Sequence, residues 1–166
     1  MSDTTPTASK SADHPRVFLV VADDSAEMRV ALRYAAQRAR HTGGRVALFR
    51  AVEPVEFQHW MGVGEIMQAE KREEAERLLD TLSTNVVEIA GSIPAIFLRD
   101  GEMREELEAL IDEEPSISIL VLAAGTGKEG PGPLVTYLSG KGVNRLRIPI
   151  TIVPGALSDE EIDRVT

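Results

Sequence analysis

The stretch Gly125-Thr126-Gly127-Lys128-Glu129-Gly130-Pro131-Gly132 follows directly on the most apolar run of the chain, Ile117–Ala124. A buried strand that ends in glycines and leads toward a helix can hold an anion. Without a Cβ the backbone comes close to the ligand, and loop and helix-start N–H groups point at its charge. The same loop can instead do no more than turn the chain, and Pro131 and Pro133 contribute no N–H donor. The cations Lys128, Lys141, Arg145 and Arg147 gather around and after it, where they serve either a small anionic ligand or a solvated helix face.

Other chemistries lack their residues. The absence of cysteine excludes disulfides, thiolate metal sites and cysteine nucleophiles. His14, His41 and His59 have no metal-ligand spacing, so no metal site is expected. There is no Walker loop, no Ser-His-Asp order and no Ser-Gly-Gly-x-Asp-Ser pyrophosphate loop. The first strand leads into Ala22-Asp23-Asp24-Ser25 rather than a dinucleotide glycine fingerprint. No catalytic constellation emerges, and an enzyme is not the expectation.

Composition narrows the partners. A formal charge of −9 over 166 residues repels phosphate backbones, so nucleic acid is not expected. No apolar run has the length of a membrane span and the N-terminal residues lack a signal-peptide core, which points to the cytoplasm and away from membranes. Aromatics are 4% of a chain that is 43% hydrophobic, so aliphatic residues carry the core, as in a parallel sheet covered by helices.

The elements that must position the glycine loop follow from periodicity. Residues 1–15 are polar and without period, which reads as a flexible tail. An α/β domain is expected over 16–154. Arg16–Ala22, Arg45–Val52, Ile93–Leu98, Ile117–Ala124 and Pro149–Pro154 read as strands. Between them, Met28, Leu32, Ala35, Ala36 and Ala39 share one helical face, with Asp24 and Glu27 spaced as a capping box. Ala75, Leu78, Leu79 and Leu82 form a second seam, and Met103, Leu107, Leu110 and Ile111 a third. Leu134, Leu138, Val143 and Leu146 would face inward from a weaker fourth helix broken by Gly140 and Gly142. The stretch 53–64 has no clean period and reads as a packed loop or a lid. The acidic end, 155–166, is a tail forming either a short helix or a loose end.

Strands alternating with helices predict a doubly wound, Rossmann-like α/β fold, a five-stranded parallel sheet with helices on both faces. With strand order 3-2-1-4-5, the winding reverses between the first and fourth strands. Asp23 and the glycine loop then border one crevice, where ligands of such sheets bind.

Several segments, in order, carry a resemblance: Val20-Val21-Ala22-Asp23-Asp24-Ser25, Arg45–Val52 after Gly43-Gly44, Asp100-Gly101-Glu102, and Ile148–Pro154. They resemble the universal stress protein family, with Asp24 where its first turn has glycine. Gly127, Gly130 and Gly140 fit the spacing of that family's nucleotide loop, G-x2-G-x9-G-S/T, with Lys141 at the hydroxyl position. The resemblance implies a stress-response protein that binds an adenine nucleotide, ATP with magnesium, through a degenerate loop. Ala22 and Asp23 would lie near the adenosine or a bridging metal, and the Val52 backbone at the adenine edge. Gly125, Gly127 and Gly130 would admit phosphates, and Lys141 would replace a hydroxyl with charge. The resemblance also implies a homodimer paired through Ile150, Thr151, Ile152 and Val153. The alternative is the same fold acting as a dimeric interaction module without nucleotide.

Overall fold

The runs of aliphatic residues become strands, the central ones covered on both faces. In a computed structural model, which describes residues 14–55 and 62–166, they are β1 (Val17–Val21), β2 (Arg45–Val52), β3 (Ala95–Asp100), β4 (Ile117–Ala124) and β5 (Ile150–Pro154). They form one parallel sheet, as the alternating pattern predicts, and its order β3-β2-β1-β4-β5 is the one that places the reversal between β1 and β4. The helices are α1 (Met28–Thr42), α2 (Val63–Ala90), α3 (Met103–Glu113), α4 (Pro133–Leu138) and α5 (Asp159–Val165). Among the described residues, no helix is long and apolar enough to cross a membrane.

Strand alternation divides the core into two layers. Phe18, Val20, Val46, Leu48, Val121 and Val153 face one way, onto Leu32, Ala35 and Ala36 of α1 and Leu79, Leu82 and Val86 of α2. Leu19, Val21, Ala47, Phe49, Leu120 and Leu122 face the other way, onto Leu107, Leu110 and Ile111 of α3 and Val135 and Leu138 of α4. The expected seams of the first three helices are therefore the core-facing ones. Their consequence for function is a rigid base under the carboxyl ends of β1 and β4.

Several local expectations change. Helix α1 begins at Met28, and the capping box expected of Asp24 and Glu27 does not form: Glu27 occupies the cap position with helical backbone and no side-chain cap. Asp23 instead closes a tight turn, its Oδ1 accepting from the Ser25 N–H at 2.9 Å and the Ser25 hydroxyl at 2.5 Å. Asp24 turns toward Arg50, 3.1 Å away. Helix α4 stops at Leu138, so Val143 does not face inward; it lies in a separate 3-10 turn and is 45% exposed. The stop has a cause. The Gly140 and Gly142 N–H groups both donate to the Tyr137 carbonyl, and a Cβ on Gly142 would stand 2.7 Å from the Tyr137 ring.

Of the two forms left open for 155–166, the chain takes the helix. Ser158 and Glu161 form a reciprocal capping box, and Ile162 is completely buried. Arg33 of α1 grips Asp163 through Nε at 2.9 Å and Nη2 at 2.7 Å, and Gln37 adds a bond at 2.9 Å. The Arg33 guanidinium holds the Asp163 carboxyl below its ordinary range. The tail expected over 1–15 lies outside the described residues apart from His14 and Pro15. The lid or packing role of 53–64 turns on 56–61, also outside them, as is His59.

Candidate functional site

A cleft of about 970 Å³ opens where the sheet reverses its winding, at the carboxyl ends of β1 and β4. One wall is the turn after β1, with Asp23, Ser25 and Glu27; the floor includes Val121, Leu122 and Ala123 of β4. The glycine loop covers it, and α3 and α4 close it with Arg104 and Tyr137. An apolar floor ringed by a few polar groups is the usual construction of a small-molecule site.

The glycine loop is tied to itself. The Gly125 N–H donates to the Pro131 carbonyl at 3.0 Å and the Gly130 N–H to the Gly127 carbonyl at 3.2 Å. Gly130 (φ 88°) and Gly132 (φ 104°) take backbone conformations that other residues avoid, which lets the loop fold back. A Cβ on Gly125 would press on the Gly130 carbonyl at 3.0 Å and approach Glu27 Oε1 at 3.5 Å. Gly127 is different: a Cβ there would meet nothing within 4 Å, so its backbone is open to a ligand. With Pro131 and Pro133 lacking N–H groups, the loop offers fewer free donors than its glycine content implies.

Charge in the cleft is polarised. Asp23 and Glu27 stand on the β1 side, Glu129 and Lys128 on the loop, and Arg104 on α3. Glu102 caps α3 by accepting from the Glu105 N–H at 2.9 Å, which fixes the helix turn that carries Arg104. The Arg104 guanidinium lies over the Tyr137 ring, 4.5 Å from its centre. Tyr137 is itself held, its hydroxyl donating to Glu108 at 2.8 Å. That bond pushes the Tyr137 phenol above its ordinary pKa, because the phenolate would forfeit the proton that Glu108 accepts.

Of the residues singled out in the sequence, Asp23, Gly125, Gly127 and Gly130 meet in this cleft. Gly140 and Lys141 do not reach it; they lie in the turn behind α4. Ala22 and Val52 also stand outside its lining, with their backbones already engaged. The Ala22 carbonyl accepts from Arg50 Nη1 at 2.9 Å, and the Val52 carbonyl from the Gly101 N–H at 3.0 Å. The late cations separate too. Lys128 alone of the four lines the cleft. Arg145 approaches Glu108, and Arg147 donates to the carbonyls of Ile111, Glu114 and Ile117 at the other end of the sheet. Sequence reading missed Glu27 as a cleft wall, Arg104 and Tyr137.

The sequence model of the Universal stress protein family matches residues 15–154. The chain belongs to the universal stress protein family. No curated protein matches its sequence. Among solved structures, universal stress protein UspA from Lactobacillus plantarum is similar at TM-score 0.69 and 15% identity, over 83% of this chain and 97% of that one. The universal stress protein from Archaeoglobus fulgidus in complex with dAMP is similar at TM-score 0.56 and 17% identity, over 84% and 97%. A universal stress protein family protein from Arabidopsis thaliana with AMP bound is similar at 0.59 and 14%, over 88% and 95%. At these identities the likeness lies in the fold. This universal stress protein shares the sheet of those structures.

Proposed function

We propose that this universal stress protein is a cytoplasmic stress-response protein that binds an adenine nucleotide in the cleft between β1 and β4. The observation that carries the reading is the convergence of Asp23 with Gly125, Gly127 and Gly130 around one cavity of about 970 Å³ at the switch point. The AMP and dAMP complexes of proteins with this fold support it. ATP with magnesium is the ligand that the sequence resemblance implies. The protein holds its nucleotide as a binding module, without rapid turnover.

The test is to denature the purified protein, look for released nucleotide, and titrate AMP and magnesium ATP by calorimetry. Absence of both released nucleotide and binding heat at millimolar ligand would rule the reading out. Gly127→Val is expected to abolish binding while leaving the fold intact, because its side chain enters open space and blocks backbone approach. Unchanged affinity in the folded variant would remove Gly127 from the site.

Pairing through β5 into a homodimer is part of the same proposal. This strand is an edge of the sheet, and Ile152 on it is 40% exposed. Ile150, Thr151 and Ile152 would form the contact, with Val153, whose side chain packs into the core, contributing its backbone. Ile152→Asp is expected to convert the dimer to monomer in sedimentation experiments; a dimer indifferent to the change would place the interface elsewhere.

A further inference from the structure

The glycine loop is poorly equipped for a chain of phosphates. Two of its N–H groups are bonded within the loop, and Pro131 in it and Pro133 at the start of α4 have none. The Glu27 carboxylate lies against its first glycine, Oε1 being 3.5 Å from where a Gly125 Cβ would stand. Asp23 and Glu129 add two further acids to the lining. A polyphosphate laid along this loop would meet carboxylates at close range, and like charges brought together in a cleft of reduced dielectric repel strongly.

Apart from Lys128 on the loop, the cationic capacity lies on the α3 wall. Arg104 lines the cleft, stacked on Tyr137, and among the described residues it has no carboxylate partner. Stacking on a ring restricts the guanidinium to one plane while leaving its N–H edge available for two parallel bonds to a phosphate. The ring is in turn held by its hydroxyl's bond to Glu108 and by close packing against Gly142. Nothing about the loop's glycines predicts this arrangement. It comes from α3 and α4 meeting over the cleft.

Resting on the nucleotide reading above, we propose that Arg104 is the phosphate-binding residue of the cleft, and that the ligand is an adenosine nucleotide with a single phosphate rather than a triphosphate. The carboxylates of Asp23 and Glu27 then accept hydrogen bonds from the ribose hydroxyls, and Lys128 on the loop adds positive charge to the cleft. The polarity of the cleft matches a ligand that is a hydroxyl donor at one end and an anion at the other.

Calorimetric titration of adenosine, AMP and magnesium ATP into the wild type, Arg104→Gln and Arg104→Lys tests the assignment. AMP is expected to bind the wild type more tightly than magnesium ATP does. Arg104→Gln should weaken AMP by about ten- to a hundredfold and leave adenosine unchanged, the range expected for losing hydrogen bonds to a charged group. Arg104→Lys, which keeps the charge but not the planar fork, should fall between. Equal AMP affinity in wild type and Arg104→Gln would overturn the assignment and leave the nucleotide reading standing. So would tighter binding of magnesium ATP than AMP. Failure of all three ligands to bind the wild type would overturn both. An adenosine affinity lost together with that of AMP would show that Arg104→Gln disturbs the cleft as a whole, which also counts against a phosphate role.

Discussion

Gly155→Ala is expected to lower the unfolding free energy by about 3 kcal/mol, at the upper end of what overpacking usually costs. One added carbon would lie 2.1 Å from the Ala124 carbonyl oxygen and 2.9 Å from Glu27 Cγ. The first of these neighbours is backbone and cannot rotate away. The Gly155 N–H donates to that same Ala124 carbonyl at 3.1 Å, so relief by displacement breaks the bond that ties the end of β5 to the end of β4. Glu27 leads into α1 and lines the cleft, so the shift reaches the site as well as the core. Gly127→Ala is the control, because its Cβ meets nothing within 4 Å and its effect should stay within about 0.5 kcal/mol. Urea unfolding measures both: a lower midpoint at an unchanged slope is the expected signature for Gly155→Ala. A Gly155→Ala midpoint equal to that of the control would mean that the contact at the strand ends is slack.

That position also shows where sequence reading stops. Gly125, Gly127 and Gly130 were legible because they cluster behind a buried strand, whereas Gly155 is a lone glycine after a proline. What makes it necessary is the carbonyl of Ala124, brought beside it only by the pairing of β4 with β5. The strands themselves were legible. A residue buried on both faces, such as Val20 or Leu120, leaves an uninterrupted aliphatic run whose meaning does not depend on partners. Their parallel pairing followed from the alternation with helices. Polar residues behaved otherwise, since their roles are set by what lies across the fold. Asp24 had the right type and spacing for a helix cap, yet Arg50 captured it from the neighbouring strand. Arg147 stood in sequence among cations suited to an anion, yet it serves helix-end carbonyls at the opposite end of the sheet. Arg104 gave no signal at all, because Tyr137, which orients it, is remote in sequence.

Ile162→Ala should cost about 2–5 kcal/mol, the range for truncating a fully buried isoleucine to alanine. Its neighbour Asp163, gripped by Arg33 and Gln37, makes the more conspicuous contact, but burial should win. Asp163 is 40% exposed and Arg33 25%, so water screens their attraction and competes for their hydrogen bonds. Ile162, with no exposure, loses its packing outright and leaves a cavity between α5 and α1. Asp163→Asn is therefore expected to destabilise far less than Ile162→Ala, and its effect should depend on pH. Because Arg33 lowers the folded carboxyl's pKa, the ion pair's contribution is complete above the unfolded value, about pH 4. It is lost as the pH falls below that through the folded value. Unfolding curves at neutral pH and at pH 3 should accordingly show wild type and Asp163→Asn converging in acid, while the Ile162→Ala deficit persists. A deficit for Asp163→Asn larger than that for Ile162→Ala would mean that the ion pair, and not the buried isoleucine, anchors the last helix.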